Sequence, residues 1–187
     1  ENRYAYLNQV EVSQHARELA RQVGKDPRLV QLILDESEEV IKHRSGVIIV
    51  GHKLGYVHAN AGIDQSNITS DSKNPRVLLL PEDPDISALA LRAGLEAETG
   101  VTIPIIINDS AGRAWRNGVL GFAIGSAGFQ PVTNLVGQKD LFERPLEATY
   151  VAVADELAAA ADDELVAAPP AVAPPAAAPI PPIFAIA

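Results

Sequence analysis

The stretch Thr102-Ile103-Pro104-Ile105-Ile106-Ile107-Asn108-Asp109-Ser110-Ala111-Gly112-Arg113 decides how this chain is read. Its isoleucine-rich half predicts a buried strand over Thr102 to Ile107. That strand runs directly into a polar, glycine-containing loop. A carboxylate at such a junction, here Asp109, has a rigid base and neighbouring backbone N–H groups. It is well placed to hold a ligand.

Outward from this stretch the pattern alternates between short strands and helices. Val12 to Val23 reads as a helix with Ser13 as N-cap and Gly24 as its stop. Asp26-Pro27 supplies a cap and a proline at the first helical position. Val30, Ile33, Leu34, Val40 and Ile41 then extend the helical spacing from Pro27 to His43, with Glu36, Glu38 and Glu39 on a solvated face. Val47 to Val50 is a β-branched strand, Gly55 a turn, and Tyr56 to His58 a returning strand. Asn60 to Asn67 is a polar loop too rich in small residues for a core element. Val77 to Leu80 is apolar and Pro81 to Asp85 a rigid turn. Asp85 is placed to cap a helix from Ile86 to Thr99 that Gly100 ends. Val119 to Ile124 is a further apolar run, and Leu146 to Val153 a strand leading into an Ala-rich helix through Asp162. From Ala167 to Pro179 the chain is almost wholly Ala and Pro, and Ile180 to Ala187 is apolar again. The division expected is a domain over residues 1–166 and a tail over residues 167–187. The mixture of elements says α+β or irregular α/β.

Composition bounds the chemistry. The chain has 187 residues, enough to bury a core without staples. It has no cysteine, so disulfides, thiolate metal sites and cysteine nucleophiles are excluded. A metal would be held by oxygen or imidazole ligands, and oxygen suits magnesium, calcium or manganese. The formal net charge of −9 argues against nucleic acid as the main partner. No apolar stretch is long enough to span a bilayer, and Glu1-Asn2-Arg3-Tyr4 does not open a signal peptide, so the expectation is a cytoplasmic protein with no membrane partner. The first residue is not methionine, and an upstream start is expected.

Two aspartates in loops, Asp64 and Asp109, are the leading metal candidates. A hard divalent cation takes carboxylates and keeps positions for water or phosphate. Ser110 adds a hydroxyl. The plain alternative is that each carboxylate makes turn or cap hydrogen bonds. Arg113 and Arg116 flank the single tryptophan, Trp115. Guanidinium groups bind phosphate or carboxylate bidentately, so this loop suits an anionic ligand; the alternative is surface arginines beside a half-buried Trp115. The glycines from Gly118 to Gly128 fit neither a dinucleotide fingerprint nor a P-loop. His58 is read as structural.

Several ordered motifs together carry a specific resemblance. They are Asn60-Ala61-Gly62-Ile63-Asp64, Leu80-Pro81-Glu82-Asp83-Pro84-Asp85, Gly112-Arg113-Ala114-Trp115-Arg116, Ala123-Ile124-Gly125 and Val153-Ala154-Asp155-Glu156-Leu157. Over Glu1 to Val166 the chain resembles the coenzyme F-420:γ-glutamyl ligases, which add glutamates to the tail of a deazaflavin coenzyme. The resemblance implies an unusual mixed sheet-and-helix α+β fold in an intertwined homodimer. It implies GTP as co-substrate, with magnesium or manganese. It places the metal-binding aspartates at Asp64 and Asp109, with Ser110 where the family usually has threonine. Asn67, Arg113 and Arg116 become candidates for the nucleotide, its phosphates or the substrate carboxylates.

The implied reaction is amide formation between a deazaflavin-coenzyme carboxylate and L-glutamate through an acyl phosphate. Two alternatives stand beside it: a homologue that binds metal and nucleotide without ligase activity, and a ligase for another carboxylate. The sequence departs from the family pattern at Glu143, where glycine is common, and at Pro145, where glutamate is common. The Ala/Pro tail stands in place of a glycine- and lysine-containing loop, before the final strand expected within Ile180 to Ile186.

Overall fold

The computed structural model describes residues 3–66, 68, 73–165 and 184–186. The chain divides into two units, Glu1–Glu82 and Asp83–Ala187. Together they hold helices and several small sheets, an α+β architecture. Among the described residues no helix is long and apolar enough to cross a membrane.

The first unit begins with strand β1 (Tyr4–Tyr6) and helices α1 (Gln14–Val23) and α2 (Pro27–Asp35). The expected caps of these helices hold. The Ser13 hydroxyl accepts from the Ala16 N–H, and Gly24 ends α1 in the left-handed region at φ 70°. Asp26 accepts from Arg28 N–H ahead of Pro27. The expected helix from Pro27 to His43 does not hold. It stops at Asp35, and Ser37–Arg44 forms strand β2. The apolar spacing of Val40 and Ile41 fits helix and strand alike, and pairing with strand β3 (Val47–His52) settles it: Val40 lies opposite Val50. Glu38 and Glu39 therefore sit on a largely exposed strand rather than a helix face. Strand β4 (Val57–Ala59) completes the antiparallel order β2-β3-β4, and β5 (Arg76–Leu78) pairs with β1.

The core of this unit gathers Leu19, Val23, Leu29, Val30, Ile33, Ile48, Val50 and Val77, all nearly inaccessible. Ala61 joins them at 0 % exposure. The small-residue segment after β4 is thus a core element at that point, contrary to the polar-loop reading.

The second unit opens with helix α3 (Pro84–Thr99). Its N-cap is Asp83, whose side chain accepts from Ile86 N–H, and Gly100 closes it. Asp85, the cap expected from sequence, lies inside the first turn and reaches elsewhere: its Oδ1 accepts the Ser126 N–H at 2.8 Å. Strands β6 (Ile105–Gly112) and β7 (Val119–Ala127) form an antiparallel hairpin. Its register shifts beside Ile107 and Asn108, leaving Ile124 as the extra residue of β7. After β8 (Thr133–Asn134) and β9 (Tyr150–Val151) comes helix α4 (Val153–Leu165). Asp155, in its first turn, accepts the Ala123 N–H at 2.9 Å. Strand β10 (Phe184–Ile186) lies parallel to β6, giving the order β10-β6-β7. This is the final strand the sequence suggested.

Ala88 of α3 packs with Ile103, Ile105, Ile107 and Ala127. A closer helix–strand approach is made at Gly125, where an added Cβ would stand 2.4 Å from the Pro84 carbonyl carbon.

Candidate functional site

Asp64 lies in the first unit, on the segment that follows β4. Two backbone bonds hold it against β5, from Asp64 N–H to Leu78 O (2.9 Å) and from Leu78 N–H to Asp64 O (3.0 Å). Its Oδ1 accepts from the Ser66 N–H at 2.7 Å and from the Ser66 hydroxyl at 2.8 Å. The turn ahead of it is strained. Asn60 and Ala61 take φ of 51° and 54°, and Gly62 takes 63°. Left-handed conformations in non-glycine residues cost roughly 1–2 kcal/mol each. The Asn60 side chain offsets part of that by accepting the Ile48 N–H at 3.1 Å. Strain of this kind gathers where a segment must present a side chain in one orientation. Sequence reasoning missed it, although an Asn and a Gly bracketing one small residue is the pattern such a turn uses. Asn67 lies outside the described residues.

Asp109 and Ser110 lie in the second unit. They do not stand in a loop after β6, as the sequence suggested, but within it: Asp109 opposes Phe122 and Ser110 opposes Gly121. Side chains alternate along a strand, so Asp109 shares a face with Ile105 and Ile107. Its Oδ1 accepts the Ser110 N–H at 2.8 Å, and the side chain is half-buried. Ser110 is exposed.

One residue earlier, Asn108 is only 3 % exposed, and neither end of its carboxamide has a hydrogen-bond partner among the described residues. A buried polar group left unpaired costs about 1–3 kcal/mol. An asparagine breaking an isoleucine run was the available signal. Arg113 and Arg116 project from the hairpin tip and are exposed, and Trp115 is 100 % exposed rather than half-buried.

Elsewhere in the first unit, Arg3 donates bidentately to Glu36 at 2.8 and 3.1 Å and to Leu80 O at 2.7 Å. The hydrogen-bonded Glu36 carboxylate raises the Arg3 pKa. His52 is 2 % exposed, and burial lowers its pKa against the smaller opposing pull of Glu36. Its Nδ1 accepts the Leu54 N–H at 3.0 Å, which puts the proton of the neutral ring on Nε2. His58 is also buried, with Nδ1 3.1 Å from the Ala59 carbonyl oxygen.

A divalent cation would find suitable donors here. Taken each in its own unit, Asp64 offers one hard carboxylate, and Asp109 offers another beside the Ser110 hydroxyl; oxygen donors of this kind fit magnesium or manganese. Among the described residues no three His, Asp or Glu side chains come together as a metal-binding group. A cation on these carboxylates would draw its remaining ligands from phosphate and water.

The sequence model of a family described as F420-0:Gamma-glutamyl ligase matches residues 1–167. The coenzyme F420:L-glutamate ligase of Methanocaldococcus jannaschii is 46 % identical over 150 residues, 80 % of this chain and 58 % of the relative. That of Methanothermobacter thermautotrophicus is 44 % identical over 155 residues, 83 % of this chain and 60 % of the relative. For Archaeoglobus fulgidus the figures are 43 % over 162 residues, 87 % and 63 %. The chain spans about three fifths of the length of these curated relatives. A match across nearly all of the residues that carry the motifs leaves one assignment: the chain belongs to the F420-0:gamma-glutamyl ligase family.

Proposed function

We propose that the chain acts as a GTP-dependent ligase that joins L-glutamate through a γ-glutamyl link to the tail of coenzyme F420, using magnesium or manganese. The observation that carries this reading is the similarity, over at least four fifths of the chain, to proteins named coenzyme F420:L-glutamate ligase. The position of Asp109 and Ser110 within the paired part of β6 supports it.

The chemistry follows from the weakness of a carboxylate as an acyl donor. An oxygen of the acceptor carboxylate attacks the γ-phosphorus of GTP, and GDP leaves. The acyl phosphate that results has a competent leaving group. The neutral amine of glutamate attacks its carbonyl carbon, phosphate departs, and the new amide nitrogen loses a proton. The protein's part is to align the reactants and offset the charge on the phosphates. Asp64 and Asp109, each with a carboxylate, and Ser110, with its hydroxyl, hold the divalent ions. Bound there, those ions neutralise phosphate charge. Asn67, Arg113 and Arg116 take the nucleotide, its phosphates or the carboxylates of glutamate and acceptor. The active form is a homodimer, which light scattering on the purified protein checks.

The test is a mass shift of one or more glutamyl units on the coenzyme, requiring GTP and metal together. It is run on this chain and on a form extended to the length of its relatives. No such product from either form refutes the reading. The Ala/Pro composition from Ala167 to Pro179 favours one second reading, a homologue that binds nucleotide without turnover. That reading expects GDP affinity, lost in Asp109→Ala, with no GTP consumed when acceptor and glutamate are added. A related ligase acting on another carboxylate would consume GTP with a different acceptor.

A further inference from the structure

We propose that Trp115 is a stacking platform for the planar heteroaromatic ring of a substrate, a role that rests on the ligase reading for the ligand's identity. The chain has one tryptophan, and it stands 100 % exposed at the tip of the β6–β7 hairpin. Its backbone takes φ 63°, in the left-handed region that glycine or asparagine fills at little cost. This position therefore carries two penalties at once. One is a strained backbone under a bulky side chain, and the other is the whole indole surface left in water. Both are features of surfaces shaped for a ligand.

The neighbours define what that ligand is. Gly112 to Gly118 contains two arginines and no carboxylate. Arg113 and Arg116 flank Trp115 in sequence, and both are exposed. An indole face beside guanidinium groups recognises a flat ring attached to an anionic tail. L-Glutamate has the anion but no ring. The guanine nucleotide and the deazaflavin acceptor have both. Strand rise places Gly112 about 10 Å beyond Asp109, so an anionic tail held at that carboxylate through a divalent cation would leave its ring at the tip.

The single tryptophan makes the test direct, because its emission reports this ring alone. GDP with magnesium and 5-deazariboflavin 5′-phosphate with magnesium are titrated separately, with L-glutamate as the control without a ring. One of the two ring ligands quenches saturably and glutamate does not. Quenching by GDP assigns the platform to guanine, and quenching by 5-deazariboflavin 5′-phosphate assigns it to the acceptor. By calorimetry, Trp115→Ala weakens the quenching ligand on the order of tenfold to a hundredfold, while Trp115→Phe, which keeps a ring face, restores most of the affinity.

No quenching by either ligand overturns the proposal, as does unchanged affinity in Trp115→Ala. A blue shift of the emission on raising protein concentration without ligand overturns it too, by assigning the ring to a contact between copies. The ligase reading fails separately. If wild type forms no glutamylated product but a ring ligand quenches, the platform stands and the reading falls. If Trp115→Ala forms product with unchanged KM for GTP and acceptor, the platform falls and the reading stands.

Discussion

Replacing Gly125 with alanine tests the docking of α3 on β7. A Cβ at Gly125 would meet the Pro84 carbonyl carbon at 2.4 Å, its oxygen at 2.5 Å and its Cβ at 2.6 Å. Ordinary van der Waals contact between such atoms is about 3.5–4.0 Å, so relief needs a movement of roughly 1 Å. The obstacle is backbone at the first turn of a helix, not the end of a flexible side chain. Moving it also strains the bond from Ser126 N–H to Asp85 Oδ1. Overpacking and a weakened hydrogen bond together cost about 2–4 kcal/mol. With m of about 2 kcal/mol/M in urea, the midpoint falls by about 1–2 M.

Gly94 is the internal control. It lies in the exposed middle of α3, with nothing within 4 Å of an added Cβ. Gly94→Ala stabilises by about 0.5–1 kcal/mol, because alanine is the better helix former and restricts the unfolded chain. Urea unfolding followed by circular dichroism reads both variants. A Gly125→Ala midpoint within 0.2 M of wild type, on the order of the extrapolation error, would show that α3 can shift freely and that the packing argument is wrong.

Glu143 stands at φ 62° in the turn made by Asp140 and Arg144, at a position where the family commonly has glycine. Glu143→Gly stabilises by about 0.5–1 kcal/mol net of the exposed Lys139 pair it loses, seen as a higher melting temperature; a lower one refutes the strain assignment. Burial holds the His52 pKa below 6.5 in the fold, so below that pH the unfolded chain binds more protons and stability falls with acidification. Denaturation at pH 7 and pH 5.5 should show this loss diminished in His52→Gln, and an unchanged pH slope would assign it elsewhere. Asp26 is held below its ordinary pKa, chiefly by the Arg28 side chain, so its stabilisation is present above pH 3.8 and lost as pH falls through the lowered value. Asp26→Asn should flatten the acid limb of the unfolding curve, and a limb that keeps its shape counts against the assignment.

What the sequence made legible followed from punctuation. Ser13 and Gly24, Asp26 and Pro27, and Gly100 each mark a helix end by a mechanism local to a few residues, and each end lies there. The end of α2 has no such mark. Glu36 passes from helix to strand at φ −90° and ψ 3°, a conformation open to any residue, and the partner that selects the strand lies across a turn in β3. Asp109 was misplaced for a related reason. The apolar run stops at Ile107, but backbone pairing with β7 continues to Gly112 and needs no apolar side chains. Asp64, Asp109, Ser110, Arg113 and Arg116 were singled out by residue type and placement, and motif resemblance gave them roles and added Asn67. Their chemistry waits on a ligand, because a carboxylate in a turn and a carboxylate awaiting a cation can make the same hydrogen bonds.

The two helix carboxylates that accept from β7 have a consequence of their own. Among the described residues β7 is the outermost strand of its sheet, and an outermost strand offers its free amides as a template for any extended peptide. Here the Ala123 and Ser126 amides are already taken, by Asp155 and Asp85. An arriving chain would have to evict both and set its carbonyl oxygens against negative charge. From Ala123 to Ser126 the strand is thereby guarded against recruitment, whether the recruit is a peptide ligand or another molecule beginning a fibril.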